Sequence, residues 1–414
     1  MKPQQFKKYQ LTNGLKVLIK PDNNTKMAAV CVLYRVGARD EQFPKTGLAH
    51  LFEHLMFSNC GSDVDFDEIM QNAGGDSNAF TTSDTTQYYN IAPYQYLEMM
   101  LQLESLRMNG FKISQRDFNT QQSVVLEEFS EHYMNNPYGM FSHRLMSLAY
   151  QDHPYRWPVI GYEPEHIAGL NLKDAEHFYH QYYHPSNAIL VVTGNVTEDE
   201  LMPLVEKHFG SIAAGKSNEN IYPTEQKIQT PRIKHYYEQI PDEAFFIAFH
   251  SPSRTDADFY SLDFLTDLLS EGKSSLLYSK MKKENMICSS IDCYLTATTG
   301  PGLIILEAKL NESFELMETQ QKVLEIIDDL KQNHISDHQW EKYRNKNETA
   351  YQFSQLGLVN QALNLSYAEW LGDPELINTE LQRYLSLTKE DIQQAAIKYF
   401  NYDHAAYMYY HKQD

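Results

Sequence analysis

The stretch TGLAHLFEHLMFSNCGS, beginning at Thr46, sets His50 and His54 four residues apart with Glu53 between them. They stand in an otherwise apolar run of Leu48, Leu51, Phe52, Leu55, Met56 and Phe57. Apolar faces exclude groups that need hydrogen-bond partners, so three of them here call for a chemical reason. On a helix, positions i and i+4 share a face, about 6 Å apart along the axis. Two imidazoles so placed can converge on one ion. Zinc takes His nitrogen and carboxylate oxygen, and a catalytic site keeps one position for water. Glu53 follows His50 by three and directly precedes His54. It can reach water at the metal rather than the metal itself, as a general base must. H-x-x-E-H is the inverted zincin motif. The competing reading is a pair of buried, hydrogen-bonded histidines.

Two His ligands need a third group, and QQSVVLEEFSEHY offers Glu127, Glu128 and Glu131. Glu128 lies three and four residues after Val125 and Val124, on what reads as a core-facing stripe. Glu127 groups with Ser123 and Glu131, a solvated set. Glu128 is therefore the expected ligand. Two other histidine pairs share the spacing. In HISDHQW, Ser336 and Gln339 form a capping-box pattern that starts a helix after His334, so His334 and His338 would not share a face. In YHQYYHPSN, Pro185 ends a helix beside His180 and His184, and no carboxylate accompanies them.

The elements that must position these residues come from the rest of the chain. Its 414 residues, 42% hydrophobic and 22% charged, suffice for two or three domains. The formal net charge of −20 argues against nucleic acid or an anionic membrane surface as partner. No apolar run approaches the length of a membrane span. The opening MKPQQFKKYQLTNGLKVLIK has no signal-peptide core, so a cytoplasmic location is expected, or a periplasmic one if a signal peptide has been removed. The four cysteines form no CxxC pair, which argues against a disulfide scaffold or a cysteine zinc knuckle.

Residues 8–20 alternate about Asn13-Gly14 and read as a hairpin. MAAVCVLYRVGARDE reads as a strand running into a loop, and Thr46 is placed to cap the motif helix. DFDEIMQNAGG reads as a second helix, NAFTTSDTTQYYNIAP as a strand or hairpin, and 94–109 and 115–133 as helices. NAILVVTGNV is a buried strand before the capped helix TEDELMPLVEKHFG. Residues 216–232 change composition and read as a linker between a metal-site domain, 1–215, and a second domain, 233–414. AFFIAFHSPSRTDADFYSLDFLTDLLSEG then restarts the strand, loop and helix order of AAVCVLYRVGARDEQFPKTGLAHLFEHLM. In this weak repeat Asp263, Thr266 and Asp267 stand where the first copy has His50, Glu53 and His54.

Taken together, LTNGLKVLI, VGARDE, TGLAHLFEHLMF, GGDSNAFTTSDTTQYY, VVLEEF, WPVIGYE, YYHPSNAILVVTGNV and HFG follow the order of the pitrilysin/insulinase zinc peptidases, the inverzincins. The chain resembles that family over nearly its whole length, and is similar to single-length bacterial members and mitochondrial processing peptidase subunits. The resemblance implies an α+β fold of two related domains, each a mostly antiparallel sheet backed by helices, closing like a clamshell on an extended peptide. It implies Zn2+ held by His50, His54 and Glu128, with Glu53 as catalytic base and Asn78 and Ala79 in the strand that pairs with substrate.

Two departures from the family pattern stand out. Gln121 takes the place of a glutamate two helical turns before the third ligand, which removes a charge from the outer shell. Lys282 and Ser289 stand where active members carry a substrate-holding arginine and tyrosine, and Met286 replaces the glycine between them. Lysine keeps the charge without the planar fork. The second half thus reads as a degenerate substrate clamp or a partner-binding domain. The expected function is a zinc endopeptidase acting on peptides or unfolded protein segments. Its expected partner is a paralogous metal-free chain in a heterodimer, or a second copy in a homodimer. The alternative is a non-catalytic structural or peptide-binding subunit of the same fold.

Overall fold

The computed structural model describes residues 3–61, 64–216 and 220–413. Eleven strands occur among them: β1 (Lys7–Gln10), β2 (Lys16–Pro21), β3 (Met27–Tyr34), β4 (Asp76–Thr81), β5 (Thr86–Pro93), β6 (Ala188–Gly194), β7 (Arg232–Glu238), β8 (Ala244–Ser251), β9 (Cys288–Leu295), β10 (Gly302–Leu310) and β11 (Ala405–Lys412). The helices used below are α1 (Leu48–Ser58), α2 (Phe66–Asn72), α3 (Leu97–Met108) and α4 (Gln115–Phe129). To these are added α5 (Phe141–Ala149), α6 (Pro164–Ala168), α7 (Leu172–Tyr182), α8 (Glu198–Phe209) and α9 (Phe259–Ser270).

The strands form two sheets, ordered β1-β2-β6-β3-β5-β4 and β7-β11-β8-β10-β9. Pairing is antiparallel except at β2/β6 and β7/β11. Five strands of the first sheet and the five of the second therefore share one order and one set of directions. The repeat that was weak in sequence is clear in topology, and each sheet is mostly antiparallel and backed by helices as expected. β3 and β6 are almost wholly buried and mostly apolar because helices cover them: Cys31, Leu33, Ile189 and Val191 pack on Ala362, Leu365 and Ala368 of the helix Leu358–Trp370.

Compactness divides the chain into two units that are not contiguous in sequence. One comprises Met1–Phe129, Trp157–Ile221 and Tyr351–Thr379; the other comprises Ser130–Arg156, Tyr222–Ala350 and Glu380–Asp414. A single cut at 216–232 does not describe this exchange of segments. Helix Leu358–Trp370 joins the first unit because its apolar stripe is what buries that unit's sheet. Residues 217–219 of the expected linker lie outside the described residues. Further along it, Ile228 is buried and the Glu225 carboxylate accepts the backbone N–H groups of Gln151, Asp152 and His153 at 2.9–3.1 Å. Residues 222–232 are thereby tied to the second unit.

The two competing histidine pairs behave as their neighbours dictate. The Ser336 hydroxyl donates to Gln339 Oε1 at 3.0 Å and accepts the Gln339 N–H at 3.3 Å, and the helix runs Asp337–Ser354 with His334 outside it. His180 lies in α7 and His184 beyond its end, within 3.1 Å of the Gln181 carbonyl. No helix among the described residues is long and apolar enough to cross a membrane.

Candidate metal centre

α1 forms because its apolar residues recur at helical spacing: Leu48, Leu51, Phe52, Leu55 and Met56 are all buried. Full burial of such a side chain contributes about 1.5–3 kcal/mol. The opposite face carries His50, Glu53 and His54, each partly exposed. The helix does not begin as the sequence suggested. Gly47 takes φ +90° before the first turn, and a Cβ there would lie 2.6 Å from the Ile160 carbonyl oxygen. The N-cap position is therefore Gly47, which has no side chain to offer, and not Thr46. Thr46 Oγ1 instead lies 2.9 Å from His166 Nδ1 and accepts the Tyr162 N–H at 2.8 Å. The cap is Glu41, whose two carboxylate oxygens accept the N–H groups of Gly47 and Ala49 at 2.9 and 2.8 Å. Sequence reading missed Glu41; its signal was an acid in VGARDE a few residues ahead of an uncapped helix.

The i, i+4 pair does share a face, with ring centroids 5.1 Å apart and near-perpendicular planes. Glu128, 74 residues beyond His54, comes from α4, which packs against α1. Its Oε2 lies 3.8 Å from His50 Nε2 and 3.6 Å from His54 Nε2. These three are the one group of three metal-binding side chains among the described residues. Glu127 is exposed and stands apart from them. The helical stripe that pointed to Glu128 is narrower than expected, since Val125 is buried but Val124 is 40% exposed.

Glu53 lies outside the converging set. Burial raises its carboxyl above the ordinary carboxylate value; Thr81 at the end of β4 opposes the rise and the charge of Glu128 adds to it. Burial, then the neighbouring His54, lowers His50 to about 4, so it is a neutral imidazole at pH 7. Its Nδ1 is buried without a protein acceptor among the described residues. Among the described residues β4 pairs with β5 alone, leaving its other edge free. Asn78 on it is exposed, with its Oδ1 accepting the Ala79 N–H at 2.8 Å, and Ala79 is buried. Gln121 lines a cavity of about 330 Å3 with Phe57, Ser58, Asp65 and Asp117.

The donor set fits zinc in type: two imidazole nitrogens and one carboxylate oxygen, one protein ligand fewer than a closed structural site carries. Tetrahedral bonds near 2.1 Å place donors about 3.4 Å apart. The two glutamate–histidine separations, 3.8 and 3.6 Å, are a few tenths of an ångström wider, and all three donors lie within 4.8 Å of one another.

In the second unit, Asp263 accepts the Tyr384 hydroxyl at 2.5 Å and Thr266 is buried. Burial, then Asp263, raises Asp267 to about 7, with Lys346 opposing. Lys282 lies over the Tyr278 ring at 5.6 Å, and Ser289 donates to the Lys309 carbonyl at 3.2 Å. Met286 holds φ +50°, a left-handed conformation that favours glycine.

Residues 16–163 match the family described as Insulinase (Peptidase family M16), and 169–347 match the Peptidase M16 inactive domain. Zinc protease PqqE of Helicobacter pylori is 30% identical over 406 residues, covering 94% of this chain and 89% of that one. The chain belongs to the insulinase peptidases, family M16. An uncharacterized zinc protease, YmxG of Bacillus subtilis, is 24% identical over 324 residues, covering 77% of this chain and 78% of that one. The crystal structure of a protease from Helicobacter pylori superposes with a TM-score of 0.92 at 27% identity, covering 99% of this chain and 100% of that one. A peptidase M16 inactive domain structure from Pseudomonas fluorescens shares the fold, with a TM-score of 0.88 at 15% identity, covering 99% and 98%.

Proposed function

We propose that this M16 chain is a zinc-dependent endopeptidase that cleaves peptides or unfolded protein segments. The observation that carries the reading is the convergence of His50, His54 and Glu128 with Glu53 beside them but outside the set. The name zinc protease, borne by PqqE and YmxG, supports it. When bound, zinc supplies Lewis acidity toward a carbonyl and acidifies a water. His50, His54 and Glu128 hold the ion. Glu53 accepts the proton of the attacking water and delivers it to the leaving amine. Substrate adds to the free edge of β4 near Asn78 and Ala79 as an extra strand, held by backbone hydrogen bonds that tolerate many sequences.

The test is metal content and peptide cleavage, with and without chelator, in four proteins. The natural chain and Glu127→Ala should hold one zinc each; His54→Ala and Glu128→Ala should lose both metal and activity. Full zinc retention in His54→Ala overturns the reading.

The same reading extends to assembly. With Lys282 and Ser289 in place of the substrate-holding arginine and tyrosine, and Met286 in place of the glycine between them, the second half lacks its clamp. A metal-free paralogous chain supplies those groups in trans, or a second copy meets the same surface.

A further inference from the structure

We propose that Arg107 is a positioning residue for the metal site, fixing the turn of α1 that carries Glu53 and His54. The inference rests on reading α1 as the helix that holds the metal. Arg107 lies on α3 and is completely buried. Its Nη1 donates to both oxygens of the buried Glu104 carboxylate, at 2.8 and 3.0 Å, and Asn90 Nδ2 donates to the same carboxylate at 2.6 Å. Its Nε reaches across to α1 and donates to the Met56 carbonyl at 3.2 Å. Met56 is in the last turn, where carbonyls lack helical donors and the helix dipole favours a cation.

The guanidinium also sits in a cage of three rings, 4.9 Å from Phe57 of α1 and 4.5 Å from both Phe66 and Tyr88. The Tyr88 hydroxyl donates to the carbonyl of Phe52, the residue before Glu53, at 2.9 Å. Asn59, directly after α1, donates to the Arg107 carbonyl at 2.7 Å. The guanidinium itself holds Met56 and Phe57 and packs on Tyr88, which holds Phe52, so its direct and ring-mediated contacts fall on both sides of Glu53 and His54; the Asn59 bond is to the backbone carbonyl of residue 107.

Stability alone does not account for this arrangement. Apolar side chains of similar volume often replace a buried ion pair without loss of stability. What they cannot do is bond a carbonyl of the motif helix. Lysine keeps the charge, but its single head group cannot bridge Glu104 and Met56 as the guanidinium does.

The experiment compares the natural chain with Arg107→Lys and with Glu104→Leu/Arg107→Met. Folding is followed by circular dichroism, zinc affinity by chelator competition, and kcat and KM with zinc saturating. Amide hydrogen exchange is followed across residues 50–60. Both variants should fold, bind zinc about tenfold more weakly and lose about tenfold in kcat with KM little changed. Exchange should rise in α1 and not in β3 or β6. Wild-type zinc affinity, kcat and α1 exchange in a folded double variant overturn the proposal. So does loss of fold in the double variant, because the pair would then belong to the core rather than to α1. A natural chain that binds no zinc refutes the functional reading instead, and the exchange comparison still decides whether Arg107 orders α1.

Discussion

Replacing Glu53 by glutamine separates proton transfer from metal binding. The amide keeps the size of the side chain but cannot take up a proton. Glu53 is not one of the three converging groups, so zinc content and fold should stay as in the natural chain. General-base catalysis contributes about 10²–10⁴-fold, or ~2.7–5.4 kcal/mol of barrier. Burial and the charge of Glu128 raise the Glu53 carboxyl toward the working pH, which strengthens it as a base. The expected loss is therefore about a hundredfold or more in kcat. The base must be ionised, so natural activity should fall as pH drops through the raised value, and the residual activity of Glu53→Gln should lack that acid limb. The assay is steady-state cleavage of a quenched fluorescent peptide by protein of verified zinc content. Turnover of Glu53→Gln within about threefold of the natural chain, at full zinc, would refute the mechanism.

Other consequences follow from groups away from the base. Asp267, near 7 in the folded state against 3.8 ordinarily, binds its proton more tightly folded than unfolded. Its stabilising share is present at low pH and lost as pH rises through about 7, by about 2–3 kcal/mol between pH 5 and 8; urea titrations should show Asp267→Asn removing that dependence. Glu41→Ala leaves the N–H groups of Gly47 and Ala49 without their acceptor, at a cost of about 2–5 kcal/mol measurable by denaturant unfolding, and a loss near zero would deny Glu41 the cap. Lys282→Ala should change peptidase activity far less than Glu53→Gln, and activity should rise when a metal-free partner chain is added. Strong turnover by a proven monomer, abolished by Lys282→Ala, would restore the second half as a working clamp.

Local order was readable in the residues themselves. The spacing of His50, Glu53 and His54 places them on one helical face whatever surrounds the helix, because a 3.6-residue period depends only on the backbone. The cap at Ser336 and Gln339 and the hairpin at Asn13-Gly14 follow for the same reason: each is satisfied within a few residues. The repeat was faint in sequence because buried strands and helices accept many apolar side chains, while strand order is a property of the whole sheet. What the chain could not disclose was convergence across long separations. Glu128 meets His50 and His54 only because α4 packs on α1, and the sequence offered three glutamates of similar standing before the stripe and the family likeness favoured one. Glu41 displaced Thr46 as the cap because Gly47 turns left-handed where the chain passes close to Ile160. Segments 130–156 and 351–379 exchange units because their apolar stripes match sheets far from them in sequence. Arg107 and Glu104 look like an ordinary exposed i, i+3 pair on a helix; burial between α1 and the Phe57, Phe66 and Tyr88 rings gives them their contacts. Short-range periodicity is written residue by residue, whereas burial is decided by which surfaces meet, and that required the fold.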